Sequence, residues 1–552
     1  MGATLRLCLI LAIGCISIAC AEAVPVPGVG DGGGPDGVGG DRYVVPPPPI
    51  EPVERVVIGP GAPADAPMLF SGDEDPSRAP EIVYPSDGVL VPPNLNELEF
   101  HFRPGRGNDL FEFHFQGAAA DLHVYVGCEP LADGCAYVPD EETWTFLAGA
   151  ERGRDAVTYE LRGVSRSGES TVGRSVSRAL GFAEQDVTGG IYYWSALEGT
   201  VYRYDFGRRS QTAETYMDAR RAGAAQCVGC HTLSRDGTRI ALGLDIPAPA
   251  PYKVFDVGTR NEVYAQGNQL TGGGSSFFSF SPDTSRIMTS NGATIVLRDA
   301  STGMAITDPV VENGTMPDWS PDGNSLVFAR PEQAAFCFGP ICGLPDVSSA
   351  SIESMRFNGT AWTASSMLVP FDGMNSYYPS FSPDGAWVIF NRSPSNEGSL
   401  DMPDAQVWTV PSEGGTPMHL ASASNGGDSW PKWAPVSYSQ RGSSLLWFTF
   451  STRRAIGLRP LVRTEGIGGG RGGRGGRGGS TATQIWMAGF DVAAAVRGED
   501  PSLPAFWLPF QNHEAGNHIA QWVLSVERQE CGASSCPEGE FCDNGVCVPI
   551  II

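Results

Sequence analysis

Between residues 81 and 182 apolar side chains recur at alternate positions in short runs, 98–102, 111–115, 122–126, 144–147, 157–164 and 174–180, with turn-forming residues between them. Period-two alternation buries one face of an extended strand and leaves the other wet, so each run reads as a short strand. Together they predict a β-sandwich over residues 79–184. Beyond it the pattern becomes a repeat. Phe280-Ser281-Pro282-Asp283, Trp319-Ser320-Pro321-Asp322-Gly323 and Phe381-Ser382-Pro383-Asp384-Gly385 each precede an apolar run, at 286–289, 325–328 and 387–390, and then a further strand such as 294–298 or 406–410. An aromatic residue ending one strand, a Pro-Asp turn and a returning apolar run predict the inner hairpin of a propeller blade.

Two degenerate copies extend the repeat: 430–435 leads to 445–450, and 230–237 leads to 239–242. A sixth sheet would be composite, with 517–522 as its inner strand and 190–194 and 200–206 as the next two, which pairs the ends of the domain and covers its edges. The Ser-Pro-Asp copies resemble TolB-type propeller repeats over roughly 187–526, a resemblance that implies an envelope protein with protein or glycan partners. Tyr84-Pro85-Ser86-Asp87-Gly88, followed by Val91-Pro92-Pro93-Asn94-Leu95, resembles the opening of fibronectin type III modules. The expected fold is all-β: a six-bladed β-propeller at 186–526 preceded by a fibronectin type III-like sandwich.

Composition supports this and narrows the partners. Seventy glycines and 44 prolines against 18% charged residues favour turns over long helices. A net charge of −25 repels phosphate backbones and anionic headgroups, so nucleic acid is not an expected partner; the Arg-Gly-Gly units at 468–479 read as a flexible loop. Residues 24–78 are rich in Gly, Pro and Asp and read as a disordered linker. Arg6 followed by the apolar stretch 7–19 reads as a secretory signal over 1–23, too short to span a membrane stably. Ala21-Glu22-Ala23 offers a cleavage site, while Ser17-Ile18-Ala19-Cys20 resembles a bacterial lipobox, so the protein is expected to be secreted, periplasmic or held at the outer membrane through a lipid on Cys20.

Export puts the cysteines in an oxidising compartment. Of the 13, Cys8, Cys15 and Cys20 fall in the leader region. Cys128 with Cys135 and Cys337 with Cys342 read as disulfide pairs, and Cys531, Cys536, Cys542 and Cys547 make 527–552 a small disulfide-rich module. Cys227 and Cys230 remain. They belong to Cys227-Val228-Gly229-Cys230-His231, the C-x-x-C-H pattern that permits two thioether bonds to haem and an axial histidine, so haem c is the expected cofactor, with Cys227–Cys230 as a simple disulfide the alternative. The preceding 217–226 resembles the helix that carries this motif in small cytochromes c, yet no helical cytochrome domain surrounds it.

Aligned repeats place His231 opposite Pro317 and Pro379, near one mouth of the channel, and put His518 at the matching point of the composite blade as a neighbour of the haem. Met217, Met288, Met316, Met374 and His513 are the other candidates for a sixth ligand. Two functions follow: electron transfer or redox sensing with a redox partner, or a non-enzymatic platform binding envelope proteins or glycans. His101, His114 and His123, scattered among the sandwich strands, read as core or solvent-facing residues. His513-Glu514-Ala515-Gly516-Asn517-His518 spaces its histidines five apart in a glycine-containing loop, where a zinc protease needs four on one helical face.

Overall fold

The computed structural model describes residues 51–549, apart from 168–170, 207–211, 246–250, 268–273, 333–345, 395–397, 400–401, 461–462, 465–479, 527–539 and 544–545. The expectations for the leader, Cys20, the Arg-Gly-Gly units, Cys337, Cys342, Cys531 and Cys536 lie outside the described residues. Cys542 and Cys547 stand directly opposite each other in the hairpin Glu540–Asp543 and Val546–Pro549.

The N-terminal part is two packed sheets. The larger orders its strands as Val53–Ile58, Ala120–Gly127, Leu110–Gln116, Val157–Val164, Arg178–Phe182 and Val89–Val91; the smaller as Glu81–Tyr84, Phe100–Arg103, Gly134–Tyr137 and Glu129–Leu131. Alternation drives the packing: Phe111, Phe113 and Phe115 on one sheet meet Phe100 and Phe102 on the other, edge to face at 4.8–5.6 Å. The Cys128–Cys135 disulfide forms, with Cα atoms 5.2 Å apart, and joins the end of a large-sheet strand to the small sheet.

Two expectations are corrected here. The linker does not run to residue 78, because Val53–Ile58 pairs in parallel with Ala120–Gly127; its side chains are mostly exposed, so it shows no buried alternation to read. The run 144–147 is not a strand but part of the helix Glu141–Glu151. Asp140 caps it by accepting from the Thr143 N–H, and Trp144, Leu147 and Ala148, spaced three and four apart, turn one face to the core.

Among the described residues, six four-stranded antiparallel sheets follow. Their first strands are Val228–Leu233, Phe277–Phe280, Thr315–Trp319, Met374–Phe381, Asp428–Gln440 and Asn517–Val523. Each of these touches the next, and Asn517–Val523 touches Val228–Leu233, so the contacts run in a cycle: the arrangement of a β-propeller. The composite sheet forms as the repeat predicts, with Asn517–Val523 pairing against Gly190–Ser195 (Ile191 with Trp522, Tyr192 with Gln521).

The Ser-x-Asp turns show why the repeat is readable. Ser234, Ser281, Ser320 and Ser382 each donate to the aspartate two residues on, Asp236, Asp283, Asp322 and Asp384. Each hydroxyl also accepts, at 2.8–3.0 Å, from the N–H five residues on, which starts the returning strand. The degenerate copy around Ser234 makes the same bonds as the others, so the segment after His231 is an ordinary blade turn.

Candidate functional site

In Val228–Leu233 the pairing with the next strand shifts between Gly229 and Thr232, and Cys230 has φ of +46°. That is a β-bulge with its extra residue left-handed. The same device recurs in four other first strands, at Met316, Tyr378, Trp430 and Ile519, all with φ between 52° and 55° and a register shift beside them. In the remaining sheet Phe277 holds the matching place with no shift. Each sheet thereby contributes one side chain, Cys230, Phe277, Met316, Tyr378, Trp430 and Ile519, to the lining of a central cavity of only ≈40 Å³. Tyr378 and Trp430 stack there at 3.8 Å. Two residues further along three of these strands come Thr232, Lys432 and Gln521, which also line the cavity; the Lys432 ammonium stands 3.5 Å from Asp318, which belongs to the sheet two places round the cycle. The channel is therefore plugged by an apolar layer followed by polar residues.

His231, the residue after Cys230, borders the same cavity. Its ring is buried, and Nε2–H donates to the Tyr192 carbonyl of the adjoining sheet at 3.0 Å; burial pulls its pKa down to about 4, so it is neutral at pH 7. Burial, with the neighbouring Cys227, pushes the Cys230 thiol up to about 12. Asp245 holds the approach to the motif by accepting from the N–H groups of Ala225, Gln226 and Cys227 at 2.7–3.3 Å. Gly229 packs against Trp194, where an added Cβ would lie 3.0 Å from the indole ring.

His518 precedes the cavity-lining Ile519, and its Nε2 pairs with Thr483 Oγ1 at 2.5 Å while its ring faces Trp194 at 6.0 Å. The structure thus puts Trp194, not His518, against the motif. Of the other candidate ligands Met316 joins Cys230 in the channel lining, whereas Met217 packs with Tyr192 and Val228 and Met288 with the core of another sheet.

A c-type haem needs both thiols along one porphyrin edge and an imidazole nitrogen open to iron. Here Cys230 is part of the plug, the His231 Nε2 is committed to Tyr192, and the adjoining cavity has room for a water or two, well short of the several hundred Å³ of a cofactor pocket. As folded, Cys227, Cys230 and His231 do not fit the group. The alternative is not formed either: neither Cys227 nor Cys230 is in a disulfide.

A larger cavity, ≈320 Å³, lies where the sandwich meets the propeller. Trp144, Tyr204 and Phe510 supply aromatic walls and Asn96, Glu97 and Glu141 polar groups; Tyr204 and Phe510 stack at 3.9 Å, and Asn96 Nδ2 donates to the Tyr204 hydroxyl at 2.8 Å. Its lining comes from segments more than 350 residues apart (Asn96 to Phe510), so no local motif announces it.

No protein-family model matches the chain, and no curated protein matches it. Among solved structures, a protein provisionally described as TolB from Agrobacterium tumefaciens is similar over 58% of this chain and 89% of its own, with 15% identity and a TM-score of 0.34. Strand pairing, not this likeness, makes the domain a propeller.

The two thiols should differ in reactivity. In native protein at pH 8, iodoacetamide is expected to modify half-buried Cys227 at least tenfold faster than Cys230, whose buried thiol gives almost no thiolate. Mass-spectrometric mapping of the labelled peptides reads this out, and equal labelling would show that the bulge opens.

Proposed function

We propose that this chain is an exported envelope protein, built as a six-bladed propeller with a fibronectin type III-like sandwich and a disulfide-rich tail, that serves as a non-enzymatic platform for envelope protein or glycan partners. The observation that carries this reading is the cavity between the two parts. It has the size of a small-molecule site, and its aromatic walls with flanking carboxylates and an amide suit a sugar, whose C–H faces pack on rings and whose hydroxyls seek polar groups. The same reading accounts for the C-x-x-C-H segment as part of the propeller's inner wall.

The test has two arms. Titration with a tetramer of N-acetylglucosamine, followed by intrinsic fluorescence, is expected to give saturable binding that Phe510→Ala weakens at least tenfold. A pyridine haemochrome assay on protein made in a host with c-type maturation is expected to show no covalent haem. Haem that is lost in Cys230→Ser would return the redox reading. Absence of sugar binding in a folded, haem-free protein would leave a protein partner as the platform's ligand.

A further inference from the structure

The outward face of the large sandwich sheet carries a cluster that neither the propeller nor the interdomain cavity uses. His114 and His123 lie directly opposite each other on paired antiparallel strands, their rings 4.2 Å apart and within 11° of parallel. Asp121, two residues before His123, shares that face. One carboxylate oxygen, Asp121 Oδ1, is 2.7 Å from His114 Nε2 and 3.5 Å from His123 Nε2, and the ligand atoms these residues offer all lie within 4.8 Å of one another. Ligands about 2.1 Å from a tetrahedral ion stand about 3.4 Å apart, so the spread already brackets what an ion needs.

A second feature points to a cation. Glu112, almost fully buried, accepts from His123 Nδ1 at 2.8 Å and from the Tyr125 hydroxyl at 2.8 Å, and Arg162 pairs with its other oxygen. With Nδ1 held by Glu112, the ring is fixed so that its Nε2 turns toward Asp121 Oδ1, 3.5 Å away. A carboxylate behind a ligating histidine is the usual outer support of protein metal sites.

We propose that His114 Nε2, His123 Nε2 and an Asp121 carboxylate oxygen form a binding site for a divalent transition-metal ion of the zinc class, with Glu112 as the positioning residue for His123. Two imidazoles and one carboxylate are a donor set for zinc rather than for magnesium or calcium, and three protein ligands leave a fourth position for water or a partner's side chain. The site is partly open to solvent, with His114, Asp121 and His123 side chains 21%, 32% and 21% exposed, so an ion can enter without the fold opening.

The experiment uses full-length protein without a histidine tag, titrated with Zn²⁺ against a chromogenic chelator. Wild type is expected to bind one equivalent that His114→Gln and His123→Gln each weaken at least a hundredfold, while the double variant Cys227→Ser, Cys230→Ser binds like wild type. Glu112→Gln is expected to keep the stoichiometry and lose about 10–100-fold in affinity. Cobalt-loaded protein should show nitrogen and oxygen ligation with no sulfur-to-metal charge-transfer band. No bound zinc in wild type, unchanged affinity in His123→Gln, or loss of the ion in the cysteine variant would each overturn the assignment. Because Glu112 is buried, a misfolded Glu112→Gln leaves the decision to the two partly exposed histidines.

Discussion

A chain ending at residue 516 is expected to lose cooperative folding of the propeller altogether, whereas one ending at residue 526 melts like the full protein. The strand Asn517–Val523 is the last of the propeller strands along the chain and completes the sheet that begins at Gly190–Ser195. Without it Ile191, Tyr192 and Trp194 lose their pairing partners, and two first strands, Val228–Leu233 and Asp428–Gln440, lose their neighbour. Ile519, Ala520, Trp522 and Val523 are all buried; Trp522 stacks on Phe206 at 5.4 Å and donates Nε1–H to Thr449. Burial of those four side chains stabilises by on the order of 6–10 kcal/mol, as large as the whole margin of a typical domain. Circular dichroism melting and limited proteolysis of the two truncations compare directly. A cooperative melt for the shorter chain within a few degrees of the longer would mean that the ends are not what closes the cycle.

The contrast between what could be read from the chain and what could not follows from the range over which each feature is determined. The Ser-x-Asp turns are legible because serine, aspartate and the returning N–H lie within six residues and bond to one another. The composite sheet is legible because the repeat leaves one inner strand over at the end and two outer strands over at the start. Four residues at 144–147 cannot distinguish a period of two from one of 3.6, and the Asp140 cap that decides for helix lies just upstream. Val53–Ile58 escapes because an exposed edge strand needs no apolar face. The left-handed positions are hidden as well: Met316, Tyr378, Trp430 and Ile519 are not residues that advertise positive φ, and the plug they build outweighs their local strain. The C-x-x-C-H spacing is correctly seen, but whether His231 faces a cofactor or a carbonyl depends on Tyr192, supplied by another sheet. The sandwich histidines likewise become a cluster only once the register sets His114 opposite His123.

The second large effect concerns the clamp between sandwich and propeller, where acid should act through a single carboxylate. Glu99 is buried and accepts from His101 Nε2–H at 2.7 Å and from Arg459, which reaches across from the propeller with its Nε at 2.8 Å. His101 Nδ1 accepts in turn from the Leu458 N–H at 3.1 Å, which fixes the tautomer that donates to Glu99. Gly457, with φ of +55°, is needed there because a Cβ would stand 2.3 Å from His101 Nδ1. Burial alone would raise the Glu99 pKa, but the hydrogen bonds from His101 and Arg459 outweigh it and hold the group at about 2 against an ordinary 4.5. The unfolded chain therefore takes up a proton below pH 4.5 that the folded chain refuses until about pH 2. Stability from this group is fully present above pH 4.5 and declines as pH falls to 2, by at most about 3 kcal/mol. Glu99→Gln is expected to be less stable at pH 7 and to show a flatter fall of Tm between pH 4.5 and 2. Arg459→Ala, which leaves a buried carboxylate short of its cation, is expected to cost about 3–5 kcal/mol at pH 7 and to regain part of the loss as Glu99 protonates. Urea unfolding at a series of pH values measures both. Parallel stability curves for wild type and Glu99→Gln would show that the clamp is not what acid releases.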